Sequence, residues 1–314
     1  MIMNITAFFL SIITFISSFF WGMFYPEYAN NAEKAADIPG LNTDFVPQGS
    51  TYLADEDTYI CCGYMNNDEP SRLYLIKDGE EKMILLKRED GSDYGGHAGG
   101  ITACGEYVYI SNQHKFFILK KSDLLEAGDG GTATFIGHSD VPCNASYCSC
   151  DGEYLYIGEY HADGYETDES HALKTPDGSE YAALTFAYKV NPEAEFGFES
   201  QTPAIAFSTC DKVQGFAADG GKAALSVSGG MMSSLLRIYD TSGKADGEFE
   251  IDGVKIPLIY LDSGRHIKDV TIPRMSEDIE FIDGKILVAF EAAAKKFVSG
   301  ILPFSEKRMM LVAV

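Results

Sequence analysis

The sequence lacks the short motifs that identify several large enzyme classes. It has no GxSxG nucleophile elbow, no HExxH metal motif, no P-loop and no GxGxxG dinucleotide fingerprint. It also has no CxxC pair that would suggest a zinc site. The reaction classes that depend on these motifs are therefore disfavoured, and any chemistry must come from residues brought together by the fold.

Basic residues are scarce. The chain has 24 Lys and Arg against 47 Asp and Glu, which gives a formal net charge of −23. This charge argues against nucleic acid and anionic membrane surfaces as main partners. Cationic ligands or metal ions match it better, although an acidic surface that only keeps the protein soluble would have the same composition.

The seven cysteines are an odd number and do not form a regular disulfide framework. Cys148 and Cys150 alternate onto one face of a predicted strand, whereas Cys61 and Cys62 point to opposite faces of another. We therefore interpret the cysteines as small core residues. One or two disulfide bridges stay open as an alternative for an exported protein.

One uncharged apolar run, residues 5–25, is long enough to span a bilayer. No Lys or Arg precedes it, and no clean small-x-small cleavage site follows it. Residues 1–25 are therefore predicted to be either a signal peptide or an uncleaved signal-anchor helix, and both place the protein outside the cytoplasm. Residues 26–40 are predicted to be a polar tether, and residues 41–314 a single domain that meets the membrane only through residues 5–25.

A tight turn between two short apolar strands recurs five times, at 52–64, 101–112, 147–160, 216–230 and 281–292. A repeat of roughly 40–50 residues with about four short strands is typical of a β-propeller blade. The second strand of each pair is apolar at consecutive positions, which indicates burial on both faces. The sequence therefore predicts an all-β fold, a β-propeller of five blades with about four antiparallel strands each. A β-sandwich is the alternative.

Two details of this propeller are also predicted. Asp-Gly pairs at 151–152, 219–220 and 283–284 are expected to form the hairpin turns. The segment 42–46 is expected to complete the fifth blade, because propellers commonly close with strands from both termini and so remove an open edge.

Polar residues recur at equivalent positions of the five repeats. The first strand of each blade borders the central channel, and its start is marked by residues that we predict to bind a ligand: Gln48, His97, Asn144, Gln214, Glu277 and Asp278. The second strands end in Asn112, Glu159 and Glu291, which should approach the same mouth of the channel. We assign Glu159, Glu291 and His97 as candidate catalytic residues, and Glu159, Glu291 and Asn112 as candidate ligands for a divalent cation such as Ca²⁺. A ring of polar groups around water is the alternative, and the acidic insertion 161–171 is expected to cap the channel as a solvated loop.

A family resemblance follows from five short motifs: VPQG (46–49), GHAGGI (96–101), GEY (158–160), VQG (213–215) and FEAAAKKF (290–297). Their order resembles that in a largely uncharacterised group of exported bacterial β-propeller-like proteins, over most of residues 40–314. More remotely, the architecture is similar to six-bladed gluconolactonase-like and strictosidine-synthase-like propellers. That likeness implies a metal or catalytic acid in the central channel, but this chain has five repeats and its residues do not match their ligands one by one.

Together these features predict an exported or membrane-tethered propeller that binds a small molecule, glycan or protein at its channel face. The sequence leaves two alternatives open. One is a metal-assisted, lactonase-like hydrolase or lyase that uses channel carboxylates, and the other is an envelope scaffold without catalysis.

Overall fold

A computed structural model describes residues 21–297 and 305–314, and most of its regular structure is β-strand, which confirms the all-β class. Two short α-helices lie wholly within these ranges, α1 (Pro26–Asn31) and α2 (Lys121–Glu126), and residues 21–24 are also helical. The apolar run predicted to target the membrane lies mostly outside the described residues. Within the described ranges, no helix combines the length and the apolar character needed to cross a bilayer.

The described strands form five sheets, of four, eight, two, four and five strands. We group most of them into five antiparallel units, and the eight-stranded sheet is divided between the second and the third unit. The first unit contains β2 (Phe45–Leu53), β3 (Thr58–Met65), β4 (Arg72–Lys77) and β5 (Glu80–Lys87). The second and third share long strands: β6 (Gly100–Cys104), β7 (Tyr107–Lys120), β9 (Gly137–Cys150), β10 (Tyr154–Glu159), β13 (Ala183–Lys189) and β14 (Ile205–Thr209).

The fourth unit contains β15 (Val213–Asp219), β16 (Lys222–Val227), β17 (Ser234–Asp240) and β20 (His266–Ile272). The fifth contains β21 (Ser276–Ile282), β22 (Lys285–Phe290), β23 (Arg308–Ala313) and β1 (Ala32–Asp37). The remaining strands are β8 (Gly131–Thr134), β11 (Leu173–Lys174), β12 (Glu180–Tyr181), β18 (Gly247–Ile251) and β19 (Val254–Tyr260).

The second unit has four strands because β7 reverses direction along its length. Gln113 has a positive φ of 55°, and the N–H of Lys121 donates to the Glu106 carbonyl at 2.8 Å. The two halves of β7 therefore lie beside each other, and its outer half pairs with the start of β9. The end of β9 then begins the third unit by pairing with β10.

The predicted hairpins are present, and two of the three predicted turns are shifted by one residue. In the third unit, Cys150 pairs with Leu155 and Asp151 faces Tyr154, so the turn residues are Gly152 and Glu153 rather than 151–152. In the fifth unit, Asp283 and Gly284 both have positive φ, as a two-residue type I′ turn requires. In the fourth unit, Asp219 pairs with Lys222, so the turn residues are Gly220 and Gly221 rather than the predicted pair 219–220. The shift in the fourth unit occurs because two adjacent glycines both accept positive φ without steric cost.

The fifth unit is completed by a different segment from the one predicted. β1 pairs antiparallel with β23, whereas residues 45 and 46, expected in that role, begin β2 of the first unit. The prediction of a polar tether at 26–40 is corrected in the same way, since this stretch contains α1 and β1. Its polar residues face solvent, and Ala36 and Ile38 are buried against the core. An N-terminal strand that pairs with the C-terminal one removes an open sheet edge.

The first strands of the five units pack against each other in cyclic order. β2 contacts β6, β6 contacts β9, β9 contacts β15, β15 contacts β21, and β21 contacts β2. Glycines allow this approach: a Cβ on Gly100 would lie 2.6 Å from the Cys148 nitrogen, and one on Gly215 would lie 2.8 Å from the Ile279 nitrogen. The first strands are therefore in direct backbone contact at these positions.

All seven cysteines lie in the described part of the chain. Five of them are buried and free, as the core interpretation predicts: Cys61, Cys62, Cys143, Cys148 and Cys210. Cys104 and Cys150 form a disulfide bridge that joins the hairpins of the second and third units. The bridge matches the alternative that the sequence left open.

Candidate functional site

The strand directions bring the polar positions to one side of the molecule. We define the loop face as the edge at which the first strand of each unit begins and the second strand ends. The opposite edge, which contains the hairpin turns between these strands, is the turn face. Because neighbouring strands are antiparallel, Gln48, Gln214, Glu277 and Glu291 all lie at the loop face.

The centre of the candidate site is a pair of carboxyl groups, Glu277 and Glu291, which share a hydrogen bond. Gln48 Nε2 donates to Glu291 Oε2 at 3.0 Å, and Gln214 Nε2 donates to Glu277 Oε1 at 3.5 Å. Glu277 is only 3% exposed, whereas Glu291 is half-buried and reaches solvent. Four predicted residues from three units therefore meet at one point, with one carboxyl group accessible from outside.

Burial keeps this pair protonated to an unusual degree. It raises the pKa of Glu277 well above the usual range, and the neighbouring Glu291 raises it further. Burial also raises the pKa of Glu291, to about 7, although hydrogen bonds from Glu277 and Gln48 and the charge of Lys296 act in the opposite direction. Two carboxyl groups this close ionise at different pH values, so Glu291 releases its proton around neutrality while Glu277 keeps its own.

The raised pKa of Glu291 predicts a pH-dependent stability. The folded state holds the proton up to about pH 7, while the unfolded chain releases it near the ordinary value of 4.5. The contribution of Glu291 to the free energy of unfolding is thus fully present below about pH 4.5 and is lost as the pH rises to about 7. At about 1.4 kcal/mol per pKa unit, the difference between about 7 and 4.5 corresponds to a loss of about 3 kcal/mol.

Urea unfolding between pH 4 and 8 measures this loss. Glu291→Gln should remove the part that Glu291 contributes, while Glu193→Gln, on an exposed turn, should keep the wild-type profile. An unchanged profile in Glu291→Gln would contradict the raised pKa.

A second group of side chains adjoins the carboxyl pair. The His97 ring stacks on Tyr64 with ring centroids 4.6 Å apart, and the Lys296 ammonium lies 5.0 Å from the Tyr64 ring centroid. Asn112 Oδ1 accepts the His97 backbone N–H at 3.2 Å. His97 is exposed on one side, while burial of the rest of the ring and the nearby charge of Lys296 lower its pKa. His97 is therefore neutral at physiological pH.

Asp278 does not face a ligand site, because it lies between the packed first strands. Its carboxyl group is 1% exposed and accepts the backbone N–H of Ile101 at 3.0 Å. It also accepts the N–H groups of Ile279, at 3.0 Å, and of Cys148. Burial raises the pKa of Asp278 well above its usual value, and these N–H groups oppose that rise. The side chain joins three units through their backbones.

Glu159 belongs to a separate, fully buried arrangement. Its Oε1 lies 2.6 Å from His171 Nδ1 and also accepts the Leu184 N–H at 3.1 Å. The backbone N–H of Asn144 reaches its other oxygen at 3.4 Å, while Asn144 itself is exposed. His171 belongs to the insertion that was expected to be a solvated loop, yet it is 3% exposed. The pair therefore attaches this insertion to the core.

The three residues predicted to bind a cation do not come together in the structure. Between residues 21 and 297 and in 305–314, no group of three His, Cys, Asp or Glu side chains is placed to hold a metal ion. Of the three predicted ligands, Glu159 pairs with His171, Glu291 pairs with Glu277, and Asn112 contacts His97. Each therefore has a protein partner of its own.

Sequence reasoning missed several residues of the site. Lys296 follows Glu291 in the motif FEAAAKKF, and its charge acts on both Glu291 and His97. Tyr160 follows Glu159 directly, and burial, together with charges that include Glu277 and Glu291, raises its pKa. Tyr64 is the penultimate residue of β3, the second strand of the first unit, so the rule that selected polar residues near the ends of second strands would have found it. His171 had no comparable positional signal.

Comparisons with known proteins show a distant structural likeness only. No protein-family model matches the chain, and no curated protein matches its sequence. A solved structure of Myxococcus xanthus glutaminyl cyclase is 12% identical, covers 90% of this chain and 97% of its own, and has a TM-score of 0.42. A putative oxidoreductase (glucose dehydrogenase) from Thermus thermophilus is 11% identical, with 90% and 99% coverage and a TM-score of 0.44. A chain of a nidogen–laminin complex is 10% identical, with 79% and 73% coverage and a TM-score of 0.39. Similarity at this level assigns neither family nor function, and the resemblance drawn from the sequence motifs stays a prediction.

Proposed function

We propose that the chain is an exported, five-bladed β-propeller that binds a small polar molecule at its loop face. The cyclic contacts of the five first strands support the blade arrangement, as does the pairing of β1 with β23. The apolar run at residues 5–25 supports export and an extracytoplasmic location.

The observation that supports ligand binding is the Glu277–Glu291 pair with its two glutamines. A carboxyl group that shares a proton can both donate and accept a hydrogen bond, and the amides of Gln48 and Gln214 add further donors and acceptors. Since Glu291 reaches solvent, a ligand can contact it without unfolding any strand. Polar groups that converge in this way fix the orientation of small ligands. The ligand that best matches these donors and acceptors is a small molecule with hydroxyl or amino groups. Glycans and protein segments are the other candidate ligands, and the same experiment tests them.

Proton-transfer catalysis is the second candidate, and the pKa of Glu291 favours it. A general base works best when its pKa lies near the working pH, and burial raises that of Glu291 to about 7. Glu277 beneath it holds a proton to return. A hydrolase or lyase would use Glu291 as base and Glu277 as acid, with His97 as a neutral neighbour. In the scaffold alternative, the same pair would have no ligand.

Thermal unfolding of the full chain tests the binding proposal. The probes are monosaccharides, amino acids, amines, short peptides and short oligosaccharides, with Ca²⁺, Mg²⁺, Mn²⁺ and Zn²⁺ in a separate series. A ligand present at about 100 times its Kd should stabilise the wild type by about 2.7 kcal/mol. The same ligand should stabilise Glu291→Gln much less, and Glu193→Gln as much as the wild type.

Two results would count against the proposal. A compound that stabilises wild type and Glu291→Gln equally binds elsewhere, and the absence of any response would favour the scaffold. A response to the cation series alone, lost in both Glu159→Gln and Glu291→Gln, would instead support the metal-assisted alternative.

A further inference from the structure

We infer that the loop face docks on a zwitterionic lipid bilayer, with Met23, Met231 and Met232 in the head-group layer. The inference rests on the proposed export of the chain, and it is independent of what the Glu277–Glu291 pair binds.

The proposed docking surface contains apolar side chains that contact water. Met23 is 56% exposed, Met231 is 54% exposed and Met232 is 76% exposed. A hydrogen bond of 3.2 Å between the Tyr25 hydroxyl and Ser233 Oγ holds the two segments together. Neighbouring exposed apolar residues on a soluble domain mark an interaction surface more often than single ones do, and flexible methionines adapt to an irregular partner.

The position of the apolar run identifies the occupant. The run ends at Tyr25, which is 3% exposed, and Trp21 already packs against the core. No tether follows, because residues 26–31 form α1 and residues 32–37 form β1. Any membrane-embedded part of this run would therefore end before Trp21, at the surface of the domain, and the side chains around that point would lie at the membrane interface.

The strand directions show that the exposed methionines lie at the loop face of the domain. Ser233 immediately precedes β17, whose start lies at the loop face. The exposed methionines are thus on the same face as Glu277 and Glu291. In the docked orientation, the candidate site opens toward the bilayer.

The net charge of the protein favours a lipid with a zwitterionic head group over an anionic one. A net charge of −23 repels anionic head groups. Insertion of apolar methionine side chains requires no attraction between charges. A phosphatidylcholine bilayer is therefore the appropriate probe.

Fluorescence of a labelled full-length chain in phosphatidylcholine vesicles tests the inference. Met232→Cys receives an environment-sensitive fluorophore, and the vesicles contain lipids with a nitroxide near the head group. Val254→Cys is the matched control. Val254 is 48% exposed and begins β19, which is parallel to β14 and so starts at the turn face. The native cysteines are buried or bridged and should not react.

We expect a blue shift and several-fold quenching at position 232 and neither change at position 254. Equal quenching at both positions, or none at 232, would overturn the inference. A blue shift at 232 without quenching, which grows with protein concentration, would show that a second copy covers the patch, and this also overturns it. Glu291→Gln should leave the quenching unchanged, so failure of ligand binding is distinguishable from failure of docking.

Discussion

Asp278→Ala should destabilise the protein by about 3–5 kcal/mol, because it removes a buried acceptor shared by three units. The N–H groups of Ile101 and Cys148 would lose their bond to this carboxyl group in a region without room for bulk water. Each unsatisfied buried donor costs about 1–3 kcal/mol. Asp278→Asn keeps one acceptor oxygen and should lose less.

Urea unfolding at pH 7 gives the free energies for this comparison. Asp219→Ala is the control, since Asp219 is exposed at the end of β15 and should change the stability by less than about 0.5 kcal/mol. A loss below about 1 kcal/mol for Asp278→Ala would show that the first strands hold together without this side chain.

His171→Phe should cost about 3–5 kcal/mol, since it leaves Glu159 buried without its side-chain partner. Phenylalanine keeps an aromatic ring beside Phe186 and Phe249, so the loss reports the broken pair rather than a cavity. The insertion that contains His171 should also loosen, and limited proteolysis should cut it faster than in the wild type.

His266→Ala provides the matched surface control. His266 pairs with Asp269 at 2.9 Å, but this pair is exposed and should contribute less than about 1 kcal/mol. Combining His171→Phe with Glu159→Gln should recover part of the loss, because no carboxylate then remains buried alone. If His171→Phe is as stable as His266→Ala, the pair does not hold the insertion in place.

Two residues at equivalent positions of the repeat have different surroundings in the structure. Glu159 and Glu291 both end second strands, yet one is fully buried against a histidine and the other reaches solvent beside a second glutamate. Equivalent positions in a repeat share a backbone location, but their surroundings depend on the loops that follow. The long insertion after Glu159 covers it, whereas Glu291 stays accessible. This difference supports the proposal that Glu159 has a structural role and that Glu291 contacts the ligand.

The sequence by itself determined the class of the fold and the positions of its hairpins. Consecutive apolar residues in the second strands and paired turn residues such as Asp283 and Gly284 are local signals, and they specify strands and turns without reference to distant residues. Recurrence of the signals also placed Gln48, Gln214, Glu277 and Glu291 on one face, because the strand direction follows from the order of the hairpins.

Only the tertiary structure decided which of these residues meet and in which protonation state. β1 joins β23 across nearly the whole chain, and a pairing at that distance in sequence leaves no local pattern to read. The shared proton of Glu277 and Glu291 depends on burial and on Lys296. The buried position of Asp278 between the first strands likewise depends on glycines in neighbouring units that let these strands touch. A pKa and a close approach are set by everything that surrounds a group, and the surroundings exist only once the chain has folded.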